Sequence, residues 1–360
     1  MARFSKKSAV AALMASSGGL AFLLFTQLAA GQTGGQMVNS RTANLTATSI
    51  PYIDAHTHID QKDPEGAVQL LLNAMDKLNG VRAFIQTEPY GIGNPGAWDA
   101  EMILPTVKKH ADRLAVLGGG GTLNPMIIEA ASTGNAGPEV QKKFRARAEE
   151  LLRQGVVGFG ELSIEHFSLP QSPVKDYEYA PADSPLMLLL ADIAAEHNVP
   201  IDLHMEALPD DIARPADMGP PNPERLHANI APLERLLAHN PRAKLIWAHA
   251  GSDNVGFRSP DMMRKLLKAH PNLYMEIKYD PGFPGKDPPI VDGKLKPEWL
   301  KLYQEFPDRF IIGSDQHFDP PATVPLARAQ QNALLLNQLP PDLRKKIATE
   351  NALRIYSSAH

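Results

Sequence analysis

The sequence predicts an α/β fold, a single (β/α)8 TIM barrel with a C-terminal closing helix, and three observations point there. From residue 50 onward, apolar runs rich in β-branched residues alternate with helix-like stretches. Eight such strand–helix units fall within about 270 residues, which is the arithmetic of a barrel. Five of the eight runs also carry a His, Asp or Glu at or near their C-terminal end, and in a barrel those ends converge on one bowl. A doubly wound parallel sheet shares the alternation, which periodicity alone cannot separate. The count of eight favours the barrel.

The chain ahead of this domain reads as an address. Arg3, Lys6 and Lys7 open it, a small-residue apolar run covers Ala9 to Ala30, and Leu28-Ala29-Ala30-Gly31 suits a signal peptidase. Residues 1–31 are therefore expected to be a cleaved signal peptide, with a periplasmic or secreted protein as the consequence. An uncleaved membrane anchor is the alternative, since the run is about long enough to span; the glycine and serine pairs in its middle weaken it. Cleavage leaves 33 basic residues against 40 acidic ones, a formal charge of −7. Residues 32–49 read as a flexible polar lead, and residues 50–360 as the barrel domain.

The elements follow in order. Strand one, Ile50–His58, closes on Asp54-Ala55-His56-Thr57-His58, and a proline-initiated helix follows over Pro64–Leu78. Side chains alternate along a strand, so His56 and His58 share a face and can bind one divalent ion at about 2.0–2.1 Å each. Two polar residues closing a strand would read the same way. Asp54 faces that side too, as a hydrogen-bond partner behind the histidines or as a buried polar clasp. Strand two, Val81–Tyr90, runs into Gly91-Ile92-Gly93-Asn94-Pro95-Gly96, which matches a dinucleotide fingerprint. No acidic residue closes the next strand to grip a ribose, so a turn is expected and no nucleotide cofactor. Strand three, Leu114–Asn124, contains Gly118–Gly121, read as a tight turn. After a helix over Pro138–Arg153, strand four, Val156–Ile164, carries Glu161.

Helix Pro185–His197 leads to strand five, Pro200–Ala207, with His204. Helix Pro223–His239 leads to strand six, Lys244–Gly251, with His249. Strand seven, Leu273–Asp280, places Glu276 and Lys278 on one face, as an internal ion pair or, for Lys278, as a grip on an anionic part of the substrate. Helix Pro297–Phe306 precedes strand eight, Phe310–His317, with Gly313-Ser314-Asp315. His166 and His317 lie just beyond strands four and eight and read as solvated loop residues. His110, His197, His239 and His270 sit at helix ends, where a cation suits the dipole. Tyr90, Trp98 and Arg258 are loop candidates.

Ionisable groups beside Leu, Ile and Trp at strand ends are costly unless paired or coordinated, and a metal centre explains all five strands at once. These residues resemble the amidohydrolase superfamily, specifically its amidohydrolase-related (amidohydrolase 2) branch of single-barrel metal-dependent enzymes. The resemblance spans roughly residues 50–357. It rests on the H-x-H of strand one, single histidines ending strands five and six, and Gly-Ser-Asp in strand eight. The segment Pro232–Gly251 and Thr349–Tyr356, read as the closing helix, add to it.

The resemblance implies that His56, His58 and His204 hold a catalytic metal, with Asp315 as ligand or base. His249 binds a second ion or acts as electrophile and proton donor. Two-metal relatives carry a carboxylated lysine in strand four. Here no lysine occurs between Lys143 and Lys175, and Glu161 takes that place. One or two ions therefore fit, with one well-occupied site favoured and zinc the best match to the donors.

The implied function is hydrolysis of a small-molecule amide, lactone or ester by a metal-activated water. Non-oxidative decarboxylation of an aromatic or unsaturated acid on the same cage is the alternative. A barrel that binds a metal or small ligand without turnover is a third reading. Export favours hydrolysis. The absence of cysteine excludes disulfides, thiolate sites and cysteine nucleophiles, and a net charge of −4 offers nucleic acid no footprint. No stable membrane insertion is expected once the leader is removed. Barrels of this branch often pair, so a homodimer is one expected assembly.

Overall fold

The computed structural model describes residues 47–168, 177–280, 285–321 and 326–357. The expected signal peptide, and all but the last three residues of the lead, lie outside the described residues.

The central sheet has ten strands, nine of them in one continuous path: β1 (Tyr52–Ile59), β2 (Gly80–Gln86), β3 (Leu114–Gly119), β4 (Phe159–His166), β5 (Pro200–Met205), β6 (Lys244–Ala250), β7 (Leu273–Ile277), β8 (Phe310–Ile312) and β9 (Gln316–Phe318). Their order along that path is β8-β7-β6-β5-β4-β3-β2-β1-β9, every pairing in it parallel, and the tenth strand, Glu178–Tyr179, pairs antiparallel with β4. The two ends of that order are consecutive pieces of one chain segment, the expected eighth strand broken at residues 313–315. On one side of the break Gly313 N–H donates to Ile277 O at 3.0 Å, and on the other Asp315 N–H donates to His56 O at 2.8 Å. Strand eight thus joins β7 to β1, and the break delivers Asp315 to the seam.

Helices connect the strands: α1 (Pro64–Leu78), α2 (Leu123–Thr133), α3 (Pro138–Gln154), α4 (Pro185–Glu196), α5 (Ile230–His239), α6 (Pro260–Ala269), α7 (Pro297–Glu305) and α8 (Ala327–Leu336). Among the described residues no helix is long and apolar enough to cross a membrane. Helix α1 shows why the local sequence suffices. Asp63 caps it by accepting from Gly66 N–H, Pro64 fills the first position, and Asn79 at φ 67° ends it. Its buried face carries Val68, Leu71, Leu72, Met75 and Leu78, at the helical spacing. Truncating Leu71 to alanine there costs about 2–5 kcal/mol.

Two expected elements end differently. Strand three stops at Gly119, and Leu123 opens α2. The four glycines do form a tight turn, since a Cβ on Gly120 would sit 2.3 Å from Glu88 O and one on Gly121 1.7 Å from Trp98 O. The helix expected from Pro223 begins only at Ile230, because Arg225–Leu226 pairs antiparallel with Ile212–Ala213. Asn229 ties down that entry: its Oδ1 accepts from Leu208 N–H, and its amide donates to Glu206 O and Glu165.

The barrel axis has its own small core of Ile53, Ala55, Phe84, Leu117, Ile246 and Ile311. The C-terminal segment contributes Ala352, Ile355 and Tyr356 to this core, and the Tyr356 ring stacks on Phe84 at 3.8 Å. The closing helix, Asn351–Ile355, therefore plugs the N-terminal end of the barrel. The polar strand ends gather at the opposite mouth.

Candidate metal centre

The break in strand eight, the ends of β1, β5 and β6, and Glu161 near the start of β4 bring six ligand-type side chains together. His56 Nε2 and His58 Nε2 stand 3.2 Å apart. Glu161 lies between two groups of imidazoles. Its Oε2 is 3.6 Å from His56 Nε2 and 3.5 Å from His58 Nε2, while its Oε1 is 2.7 Å from His204 Nδ1 and 3.0 Å from His249 Nε2. Asp315 Oδ1 closes the first group at 3.2 Å from His58 and 3.9 Å from His56. Every metal-type position expected from the sequence is thus in one site. His204, however, sits with His249 across Glu161 rather than directly with His56 and His58.

Behind the rings stand acceptors. His58 Nδ1 faces Gln86 O at 3.1 Å. His56 Nδ1 faces Asp202 Oδ1 at 3.6 Å and Glu276 Oε2 at 3.8 Å, and His249 Nδ1 faces Glu276 Oε2 at 3.3 Å. This backing favours the Nδ1–H tautomer and leaves Nε2 free as a ligand, the arrangement metal-binding histidines show. The charge balance agrees. Glu161 and Asp315 are held well below the usual carboxylate range: burial raises both, but the histidines outweigh it at Glu161, and Lys278, His58, His249 and Arg328 do so at Asp315. His56 is pushed up to about 10, because Asp202, Glu161 and Glu276 outweigh the burial that lowers it. Burial, then Lys278, hold His249 below its usual value. Both oxygens of fully buried Asp202 and the Nδ1 atoms of His56 and His249 lack a well-formed hydrogen bond. A buried set of four imidazoles and two carboxylates, with such excess negative potential, fits a divalent cation of the zinc type.

The backbone is bent to present two of these groups. His249 has φ 64° and Asp315 φ 50°, a left-handed conformation that costs energy and that surrounding contacts must hold. Glu276 accepts the His249 N–H at 2.8 Å, and Arg258 donates to Trp247 O at 3.0 Å and Ala248 O at 2.5 Å. At the other residue, Arg328 donates to Asp315 O at 2.5 Å. Asp54 Oδ1 accepts from Ser314 N–H at 2.8 Å and from His56 N–H at 3.4 Å, so it is the clasp between β1 and the break in strand eight.

Several expectations change. Glu276 and Lys278 do not pair. Lys278 Nζ bonds Asp315 Oδ2, so it reaches the site but is engaged there by a carboxylate. Arg328 joins the same carboxylate at 3.1 Å and reaches Asp280 at 2.7 Å. His317 is no solvated loop residue. Its ring stacks on His58 at 4.5 Å, with Nδ1 3.6 Å from Glu88 and Nε2 3.8 Å from Asp315 Oδ1. His166 lies beside His204, ring centres 5.3 Å apart. His239 and His270 pair with Asp192 and Glu234 at helix ends, as expected. Residues 91–97 form turns, with Asn94 accepting from Gly96 N–H, and no helix opens there to receive a phosphate.

Sequence reading missed Asp202, Gln86, Glu88 and Arg328. The first had a signal: Asp202 lies two before His204, as Asp54 lies two before His56. Arg328, at the start of α8, had none.

A family model described as amidohydrolase matches residues 53–357. Among solved structures, an uncharacterised TIM-barrel protein from Bordetella bronchiseptica is 14% identical, with 85% of this chain and 98% of that chain covered at a TM-score of 0.49. A probable 2-pyrone-4,6-dicarboxylic acid hydrolase from Acinetobacter baumannii is 14% identical with the same coverage and a TM-score of 0.46. For 2,6-dihydroxybenzoate decarboxylase from Rhizobium the values are 13%, 85%, 98% and 0.48. No curated protein matches the chain.

Proposed function

We propose that this chain, an enzyme that belongs to the amidohydrolase family, is a metal-dependent hydrolase of a small-molecule amide, lactone or ester. The observation that carries the proposal is the arrangement at one mouth of the barrel: Asp315, ionised and 3.2 Å from His58, beside imidazoles grouped around Glu161. His56, His58 and Asp315 would hold one ion, and His204 and His249 a second, with one Glu161 oxygen facing each group. Zinc suits these donors best. When bound, such an ion polarises a carbonyl and acidifies water towards a pKa of about 7.

The chain's own groups supply the proton handling. Asp315 stays deprotonated at neutral pH, so it can accept a proton from the attacking water and return it to the departing amine or alcohol. A carboxylate this weakly basic suffices only for an acidified water, which ties its role to the cation. Lys278 and Arg328 orient that carboxylate. His249, uncharged at neutral pH because burial lowers it, turns Nδ1 to Glu276 and keeps Nε2 as a lone pair, so it would serve as a ligand to the cation that orients the substrate carbonyl.

Elemental analysis of the mature protein tests the proposal. About one or two equivalents of a transition metal are expected in wild type and none in a His56→Ala, His58→Ala double variant. A panel of lactones, esters and amides should then give turnover that needs the metal. Release of carbon dioxide from aromatic acids instead would move the assignment to decarboxylation. Metal bound without turnover of either class would leave a binding barrel. A metal-free wild type that cannot be reconstituted would sink the mechanism.

A further inference from the structure

We infer that Glu276 is a positioning residue that ties the two halves of the cage together. It stands on β7, behind the His56 and His249 rings, and its side chain is fully buried. One oxygen, Oε2, faces three donors at once: His249 N–H at 2.8 Å, His249 Nδ1 at 3.3 Å and His56 Nδ1 at 3.8 Å. An acceptor placed there favours the Nδ1–H tautomer of His249 and, by its charge together with that of Asp202 at 3.6 Å, of His56. Their Nε2 lone pairs then point at Glu161, His56 towards its Oε2 at 3.6 Å and His249 towards its Oε1 at 3.0 Å. Its bond to the His249 N–H also holds the residue whose φ of 64° would otherwise relax.

Gly313 supports this assignment independently. A Cβ on it would lie 2.3 Å from Glu276 Oε1 and 2.7 Å from His56 Cβ. The glycine of Gly-Ser-Asp thus leaves the space in which Glu276 and His56 stand side by side. The other imidazoles are served differently. His58 faces a backbone carbonyl, Gln86 O, and His204 turns its Nδ1 to Glu161 itself. Asp202 backs His56, at 3.6 Å.

This inference rests on the metal reading of the site, and the experiment separates the two. Zinc affinity of the metal-free protein is measured by chelator competition for wild type, Glu276→Gln and Asp202→Asn. Histidine-selective ¹⁵N labelling reports the ring tautomers. Glu276→Gln keeps the shape and one acceptor but removes the charge, and it should weaken zinc binding by about 10–100-fold. It should also shift the ring ¹⁵N signals of both His56 and His249 and leave His58 in place, whereas Asp202→Asn should move His56 and not His249. Wild type alone already tests the idea: zinc-loaded protein should show Nδ1–H on both His56 and His249, whatever the folding of the variants. A ring carrying Nε2–H there overturns the inference, as does a Glu276→Gln variant with wild-type affinity and unmoved signals. Wild type that takes up no zinc overturns the metal reading, and this inference with it.

Discussion

Metal loading should release a proton, and His56 is its source. Burial alone would pull this imidazole below its ordinary value, yet Asp202, Glu161 and Glu276 hold it up to about 10. At pH 7 the metal-free protein therefore carries a proton on His56 that an ion must displace. Three of the other groups around the ion add little, while burial holds the Asp202 carboxyl, behind His56, well above its usual range. Glu161 and Asp315 lie well below the carboxylate range and are already ionised, and His249 is lowered and already neutral.

One displaced proton makes binding about tenfold tighter per pH unit, or about 1.4 kcal/mol. From pH 7 to 9 the gain is roughly a hundredfold, and it flattens as pH reaches about 10. The sign for folding is opposite. The folded pKa is raised, so the stabilisation His56 gives the metal-free protein is complete below its unfolded value. It is lost as pH rises through about 10. The assay is isothermal titration of metal-free protein with chelator-buffered zinc, in two buffers of different ionisation enthalpy, at pH 7, 8 and 9. About one proton released at pH 7 is expected. Affinity that stays flat across this range, with no proton released, would refute the electrostatic account of the cage.

Other outcomes follow from particular contacts. Asp315→Asn should lower turnover by about 10²–10⁴-fold on whichever substrate the panel identifies, since the proton acceptor is removed; steady-state kinetics would show it, and unchanged kcat would dismiss Asp315 as the base. Arg258→Met should lower the melting temperature, because Trp247 O and Ala248 O are left buried without their donor, at about 1–3 kcal/mol each; an unchanged melt would contradict this. Tyr356→Ala should destabilise by about 3–5 kcal/mol in denaturant titrations yet leave zinc stoichiometry intact, because the plug is at the opposite end from the cage. Loss of zinc binding in a folded Tyr356→Ala protein would contradict that separation. If residues 1–31 are a cleaved signal peptide, mass spectrometry of protein recovered after export of the full chain should find an N-terminus near residue 32; a start at Met1 would argue for the uncleaved anchor.

The sequence by itself determined which ligand-type residues stand along the strands, and largely where the strands lie. Apolar runs with polar C-terminal ends are local signals. His56, His58, Glu161, His204, His249 and Asp315 could be picked out because each closes such a run and a parallel barrel brings those ends to one mouth. Proline-opened helices such as Pro64–Leu78 were equally legible, since capping and the apolar stripe are both written within fifteen residues. The helix at Leu123 was not legible, because four glycines and a proline hide its start, and Pro223 announced a helix where Asn229 had been committed to holding the β5 loop.

Only the tertiary structure decided who faces whom. Glu161 divides four histidines into two groups, Lys278 turns to Asp315 rather than Glu276, and Glu276 reaches two rings on different strands. The backing of Asp202 and the approach of Arg328 from α8 belong to the same class. These are distances of a few ångströms between strands far apart in sequence. They depend on inter-strand register, on the break at residues 313–315 and on two backbone residues held at positive φ, none of which a run of residue types encodes. Alternation says which face a side chain takes; closing the sheet says which partner it meets.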